Sequence, residues 1–334
     1  MQNSKILAAG SSLGRIEVST RSLLDEARFE RLGLSNDMVE IELGITHVRH
    51  CPSSVKPGDL AIEASQNALK KSGVSSSLID AVFFCGIERD YSEPATAHRV
   101  AHELGINAPF CWDKSDACHG FTAGLIEADL LIRSGRIRYA LVCTGERSSN
   151  KTAHVGNLFA KGRLKMPDVR DTLGAFTLGD GGGAMILGPS DDGSGIQAVH
   201  TQCQSKYSRL CFWDEWGLEP SFAMKMGKIC ATTINLVKRM IPETLDKLAW
   251  SKEDIDMMIP HQVGAKPFYK YLDMFNIQVD RSIATYERLG NLASATIPIC
   301  YDILENQGRF VAGQRTFIVS SGSGIVVSQL GIIH

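Results

Sequence analysis

No two cysteines of this sequence stand at Cys-x-x-Cys spacing, although there are nine of them: Cys51, Cys85, Cys111, Cys118, Cys143, Cys203, Cys211, Cys230 and Cys300. The count is odd, which excludes a complete set of paired disulfides, and the spacings exclude zinc-ribbon and dithiol redox motifs. No apolar run is long enough to span a bilayer. The start, Met1 to Gly10, lacks the charged opening and long apolar stretch of a signal peptide, so it reads as a first strand entering the fold directly. Net charge is only −2, so no bulk basic field favours nucleic acid. What remains is a reduced, cytoplasmic chain with no metal site, no membrane and no nucleic-acid partner.

With 334 residues, 44% hydrophobic and 22% charged, the chain has the make-up of a globular protein of two domains or two fused halves. An internal repeat supports the second option. The segment holding Leu69 and Ile79-Asp80 lines up with that holding Leu245 and Ile255-Asp256. Each copy reads as a helix, a polar turn and a buried strand. Residues 57–73 are an amphipathic helix stopped by Gly73, residues 79–85 a buried strand, and residues 255–261 its counterpart, ending at His261. The expected architecture is α/β: two pseudo-repeated halves, 1–188 and 189–334, with helices packed on mixed sheets.

Other stretches carry weaker expectations. Residues 146–173 are polar and rich in Lys and Arg, and read as an irregular surface excursion. Residues 221–240 read as a long helix with Met224, Ile229, Ile234 and Val237 inward. Leu178-Gly-Asp-Gly-Gly-Gly-Ala184 lacks the Gly-Lys-Ser/Thr ending of a phosphate loop and runs into a strand, so its glycines serve close backbone packing.

The chemistry centres on Ser115-Asp-Ala-Cys-His-Gly-Phe121. Cys118 stands where the chain turns into a helix, and the unpartnered amides and positive dipole end there favour thiolate, the nucleophilic form. Taken alone, Cys118 reads first as a packing residue, His261 as a strand-end histidine bonded to backbone, and Asn291 as a helix N-cap. The two halves are expected to bring Cys118 to face His261 and Asn291, with Cys118 and Asn291 at corresponding helix starts.

Four segments together resemble the β-ketoacyl-acyl-carrier-protein synthase III group of condensing enzymes, in the thiolase superfamily: Asp116-Ala-Cys-His-Gly-Phe121, Leu178-Gly-Asp-Gly-Gly-Gly-Ala184, Ile259-Pro-His-Gln262 and Gly290-Asn-Leu-Ala-Ser-Ala-Thr-Ile-Pro298. Ser321-Gly-Ser-Gly324 resembles that family's final glycine turn, and Gly44-Ile45 with Arg49 its N-terminal signature more loosely. The resemblance implies a thiolase-like αβαβα layering and a Cys118–His261–Asn291 triad. Cys118 would carry the acyl group, the backbone amides of Cys118 and Ser323 would form an oxyanion hole, and His261 and Asn291 would hold a second thioester as carbon dioxide leaves. His119 is taken as a structural or pocket-wall residue. Lys266 would face an acidic carrier protein, and Gly264 falls where the family often has an Asn on the pantetheine arm. The substrates implied are thioesters of acyl-carrier protein or coenzyme A, with no further cofactor, and the family's members are homodimers with the sheet continued across the interface.

The departures bear on the donor. Where members that start fatty-acid synthesis clamp the adenine of coenzyme A with Trp and Arg, this chain has Met38 and Glu42. The expected activity is therefore loading from a carrier protein or an unusual thioester and decarboxylative condensation in a specialised fatty-acid or polyketide pathway. The alternatives are acyl transfer to an O, N or S nucleophile without decarboxylation, a silent partner of a ketosynthase heterodimer, and a cysteine hydrolase. Absence of a papain-type signature around the cysteine argues against the last. The excursion at 146–173 and the segment from Tyr207 to Met226 are expected to wall the pocket.

Overall fold

The computed structural model describes residues 3–334, and every structural statement below concerns those residues. The first half runs β1 (Asn3–Leu13), β2 (Ile16–Ser19), α1 (Thr20–Glu26), α2 (Met38–Leu43), β3 (His47–His50), α3 (Pro57–Ser72), β4 (Ala81–Phe84), α4 (Thr96–Glu103), β5 (Phe110–Asp113), α5 (Gly120–Arg133), β6 (Ala140–Glu146), α6 (Ser149–Ala160), α7 (Met166–Thr172) and β7 (Gly181–Ser190). The second runs β8 (Gly195–Cys203), β9 (Cys211–Asp214), β10 (Ser221–Met224), α8 (Met226–Leu248), β11 (Met257–Pro260), α9 (Ala265–Phe275), α10 (Tyr286–Leu289), α11 (Thr296–Asn306), β12 (Arg315–Gly322) and β13 (Val326–Ile333).

The two main sheets share one plan. The first has the order β1-β7-β6-β4-β5, antiparallel as far as β6 and parallel from there. The second, β8-β13-β12-β11, repeats the first four strands with the same sequence of directions. It has no counterpart of β5. The repeat is close: Asp80 accepts from the Arg138 and Tyr139 amides ahead of β6, and Asp256 accepts from the Arg315 amide at the start of β12. Each aspartate ties the start of one strand to its parallel neighbour.

Five layers result. Every residue of β4 is buried, and alternation sends successive side chains to opposite faces of the sheet. Val82 and Phe84 pack on Ala61, Ala64 and Val100 of the outer helices α3 and α4. Phe83 packs inward with Phe121 and Leu125 of α5. The inner cluster also holds Ile297, Cys300 and Leu304 of α11, and Ile259 and Ile318 of the second sheet, so α5 and α11 lie between the sheets. On the far side α8 and α9 cover the second sheet through Val237, Met240, Phe268 and Leu272 against Met258, Phe317 and Val319.

The glycine run does what its position requires. A Cβ at Gly182 would stand 2.4 Å from the Leu60 carbonyl oxygen, and one at Gly183 2.4 Å from a Pro298 ring carbon. Strand β7 is thus pressed between an outer and a central helix, where a side chain would force them apart.

Two expectations need correction. Residues 146–173 are not irregular: they form α6 and α7, which bury Thr152, Val155, Phe159 and Val169. Met224 ends strand β10 rather than sitting on the long helix, which starts at Met226 and continues to Leu248. The last strand of the first sheet ends at Ser190 and the first strand of the second begins at Gly195.

Candidate active site

Cys118 lies in a single turn, Ala117–His119, that leads into α5. Ala117 adopts φ 47°, a left-handed conformation costing an L-residue about 1–2 kcal/mol, and the sharp bend it makes aims Cys118 between the sheets. His261 follows the last residue of β11, with its amide donating to the Val319 carbonyl at 2.8 Å. Asn291 is held by its backbone: its amide donates to the Thr177 carbonyl at 2.8 Å, and its carbonyl accepts from the Gly179 amide at 3.1 Å. Its side-chain oxygen accepts from the Ala293 amide at 2.9 Å, which leaves the NH2 group to donate elsewhere.

These three side chains, from both halves, line one cavity. Its other walls are largely apolar: Met224, Met226, Ile229, Val263 and Pro267, with Cys211, Cys230 and Tyr271 among them. Ser321, Gly322 and Ser323 close it from the end of β12.

A family model described as 3-oxoacyl-[acyl-carrier-protein (ACP)] synthase III matches residues 112–206, and the model of that family's C-terminal part matches residues 245–330. Between them they take in Cys118, His261 and Asn291. The chain is a synthase III-like condensing enzyme. It is 28% identical to the β-ketoacyl-[acyl-carrier-protein] synthase III of Alkalilimnicola ehrlichii, with 97% of each chain covered. Its fold is also that of Xanthomonas campestris OleA. Against the form bound to cerulenin the TM-score is 0.92 at 23% identity, covering 100% of this chain and 97% of the other. Against a cysteine-to-serine variant of OleA with bound lauric acid and lauroyl-CoA it is 0.93 at 24% identity, covering 100% and 99%.

In this condensing enzyme the electrostatics differ from what helix position alone suggests. Burial pushes the Cys118 thiol well above its usual range, and the nearby Cys211 and Glu146 add to the rise. The backbone amide at Cys118 and the Lys151 ammonium pull it down, but by less. The resting residue is a thiol, so the expectation of a thiolate from the helix start fails: desolvation outweighs the helix end. His261 moves the other way, down to about 4, through burial and then the neighbouring His119, and is a neutral imidazole at pH 7.

The remaining expected residues sort clearly. Ser323 does border the cavity. Gly264 does not; it has φ 143°, and a Cβ there would stand 2.9 Å from the Leu43 carbonyl oxygen, so this position is bare because α2 packs on it. Lys266 is exposed and pairs with Glu42 at 3.2 Å, so the acidic residue at the clamp position has a cation beside it. His119 is buried and structural, with Asp116 at 2.8 Å on Nδ1 and Ser328 at 2.7 Å on Nε2. Cys118 and Asn291 are not counterparts. Ala293 repeats the left-handed bend of Ala117 with φ 49°, so Ser294 holds the position of Cys118 and Asn291 precedes the bend.

Of the expected walls, the segment from Tyr207 to Met226 contributes Cys211, Met224 and Met226, while α6 and α7 stand behind the β9–β10 hairpin. Gln262 was visible only as part of a motif. It anchors the loop after β11, donating to the Ile283 carbonyl at 2.7 Å and accepting from the Thr285 amide at 2.8 Å, and so fixes His261. His98 and His102 do form a His-x-x-x-His pair, on α4. No group of three or more His, Cys, Asp or Glu placed to hold a metal occurs among the described residues.

Proposed function

We propose that the enzyme loads an acyl group from a thioester of acyl-carrier protein or coenzyme A onto Cys118 and condenses it with a malonyl- or β-ketoacyl-type thioester, with loss of carbon dioxide from the malonyl type. The observation that carries this reading is the convergence of Cys118, His261 and Asn291 on one apolar cavity. In the first step the Cys118 sulfur displaces the carrier thiol and its proton leaves with that thiol. The backbone amides of Cys118 and Ser323 hold the developing oxyanion. In the second, the acceptor loses carbon dioxide, and the enolate oxygen accepts hydrogen bonds from His261 and the Asn291 NH2. The enolate carbon then attacks the acyl-cysteine and expels the Cys118 sulfur as a thiolate, which takes a proton from solvent to restore the resting thiol. A neutral His261 suits this step, since it donates without stabilising the carboxylate that must depart.

Met38 and Glu42 at the adenine-clamp positions favour a donor other than simple acetyl-CoA, and with it a specialised fatty-acid or polyketide pathway. No cofactor beyond the thioester substrates is required. We further propose a homodimer acting in the cytoplasm. No helix of the described residues is long and apolar enough to cross a membrane, and all nine cysteines are free.

Intact mass after incubation with a panel of acyl-CoA and acyl-carrier-protein thioesters tests the first step. An acyl adduct on the wild type that is absent from Cys118→Ala supports it, and an adduct that persists in Cys118→Ala overturns it. Carbon dioxide released from a malonyl thioester by the loaded enzyme supports the second step. Product formed without it assigns transfer to an O, N or S nucleophile instead.

A further inference from the structure

Glu146, the last residue of β6, is fully buried and takes no part in the steps above. Its carboxylate accepts a hydrogen bond from the Ser294 hydroxyl and another from the Ile87 amide at 3.1 Å. The Thr144 hydroxyl, two residues earlier on the same strand, is 2.5 Å from Ser294 Oγ and completes the set. Ser294 belongs to the turn whose preceding residue, Ala293, donates its amide to the Asn291 side chain. Neither Glu146 nor Ser294 reaches the cavity. We propose that Glu146 is a positioning residue which, through Ser294, holds the Asn291 turn of the second half against the strand end of the first and sets the charge felt by Cys118.

The positioning part follows from the bonding. Ala293 is left-handed, and a strained residue persists only where its surroundings over-determine it. Glu146 and Thr144 both bind the very next side chain. A charge-assisted bond from a buried carboxylate is among the stronger anchors available there. The electrostatic part follows from the neighbours. The ionisable groups facing Glu146 are Lys151 on α6, Glu88 in the loop after β4, and Cys118 itself, and Lys151 is nearly buried and ion-paired to Glu88. Burial raises Glu146 to about 7, against the pull of Ser294 and Lys151. Its charge therefore changes across neutral pH, and when ionised it disfavours a thiolate at Cys118.

This inference rests on the proposed roles of Cys118 and Asn291, and its test uses one readout that does not. In the full-length protein, alkylation of Cys118 by iodoacetamide is followed on its own peptide as a function of pH, for wild type, Glu146→Gln and Ser294→Ala. Glutamine keeps an acceptor for Ser294 and removes the charge. Alkylation at neutral pH should rise severalfold, and the inflection near 7 seen in wild type should vanish. Ser294→Ala should leave Cys118 alkylation and acyl loading within about twofold and lower carbon dioxide release about tenfold, the equivalent of one hydrogen bond. An unchanged alkylation profile in Glu146→Gln overturns the inference. So does a uniform fall of alkylation, loading and carbon dioxide release with a lowered melting temperature, which is fold damage alone. If wild type releases no carbon dioxide, the condensation reading fails and the alkylation profile still decides the role of Glu146.

Discussion

The ends of β6 and β12 occupy equivalent places in the two halves and meet equivalent partners. Ala81 pairs with Ala140 in the first sheet, and Met257 with Thr316 in the second, which makes Glu146 and Gly322 counterparts. Each lies against the site turn of the opposite half. Glu146 binds Ser294 through its carboxylate. Gly322 has no side chain, and a Cβ there would stand 2.9 Å from the His119 backbone nitrogen and 3.0 Å from the Asp116 carbonyl oxygen. One junction is made by a charged bridge, the other by direct backbone contact. The two turns they support have also diverged, with Cys118 at the bend of one and Ser294 at the bend of the other. A duplicated backbone thus brings Cys118 from the first half to one cavity with His261 and Asn291 from the second. Neither half holds all three.

That division of labour predicts the largest effect. Asn291→Ala should leave acyl loading on Cys118 within about twofold while lowering carbon dioxide release from a malonyl thioester by about 10²–10³-fold, the usual consequence of losing one preorganised donor. Loading is read by intact mass and decarboxylation by trapped carbon dioxide. Equal losses in both half-reactions would break the comparison, since the second half would then serve the nucleophile as well.

The bare junction comes next. Gly322→Ala puts a methyl group against backbone atoms of the turn that carries Cys118, and such atoms yield only by moving the turn. The expected cost is about 1–3 kcal/mol of stability, read by denaturant unfolding, together with slower acyl loading. The same substitution at Gly227, which likewise has no positive φ and where a Cβ meets nothing within 4 Å, is the control for adding a methyl group alone. Wild-type loading and stability in Gly322→Ala would show that the close approach does not matter.

How far the sequence carries toward this picture differs between the halves. Local signals suffice for β4, β11, α3 and the residues Cys118, His261 and Asn291, because apolar runs, glycine stops and short motifs are written in consecutive residues. The register of the repeat is also legible, from Ile79-Asp80 and Ile255-Asp256. What is not legible is whatever depends on contact across the halves. Glu146 and Ser294 are far apart in the chain, and nothing in the residues around either one announces their bond. The state of Cys118 fails for the same reason: its helix-end position is local, but the burial that overrides it comes from the cavity walls. Residues 146–173 mislead because many of the residues that α6 and α7 turn inward are themselves polar, Ser149, Lys151, Thr152 and Thr172, while the exposed Lys161, Arg163 and Lys165 fill the connection between the helices.

The smallest effect concerns the acid side of the stability curve. His261 is held at about 4 in the folded protein and reverts to the ordinary histidine value near 6.5 on unfolding. Between those values the unfolded chain binds the extra proton, so stability is full above 6.5 and is lost as pH falls toward 4. His334, also lowered to about 4 by burial, contributes with the same sign. Replacing His261 with the uncharged Asn removes one of these two contributions. The drop in melting temperature between about pH 6.5 and pH 4.5 should therefore shrink in His261→Asn without disappearing. An undiminished drop would mean that His261 takes up its proton in the native state, and that the second half presents a cation rather than a neutral donor to the cavity.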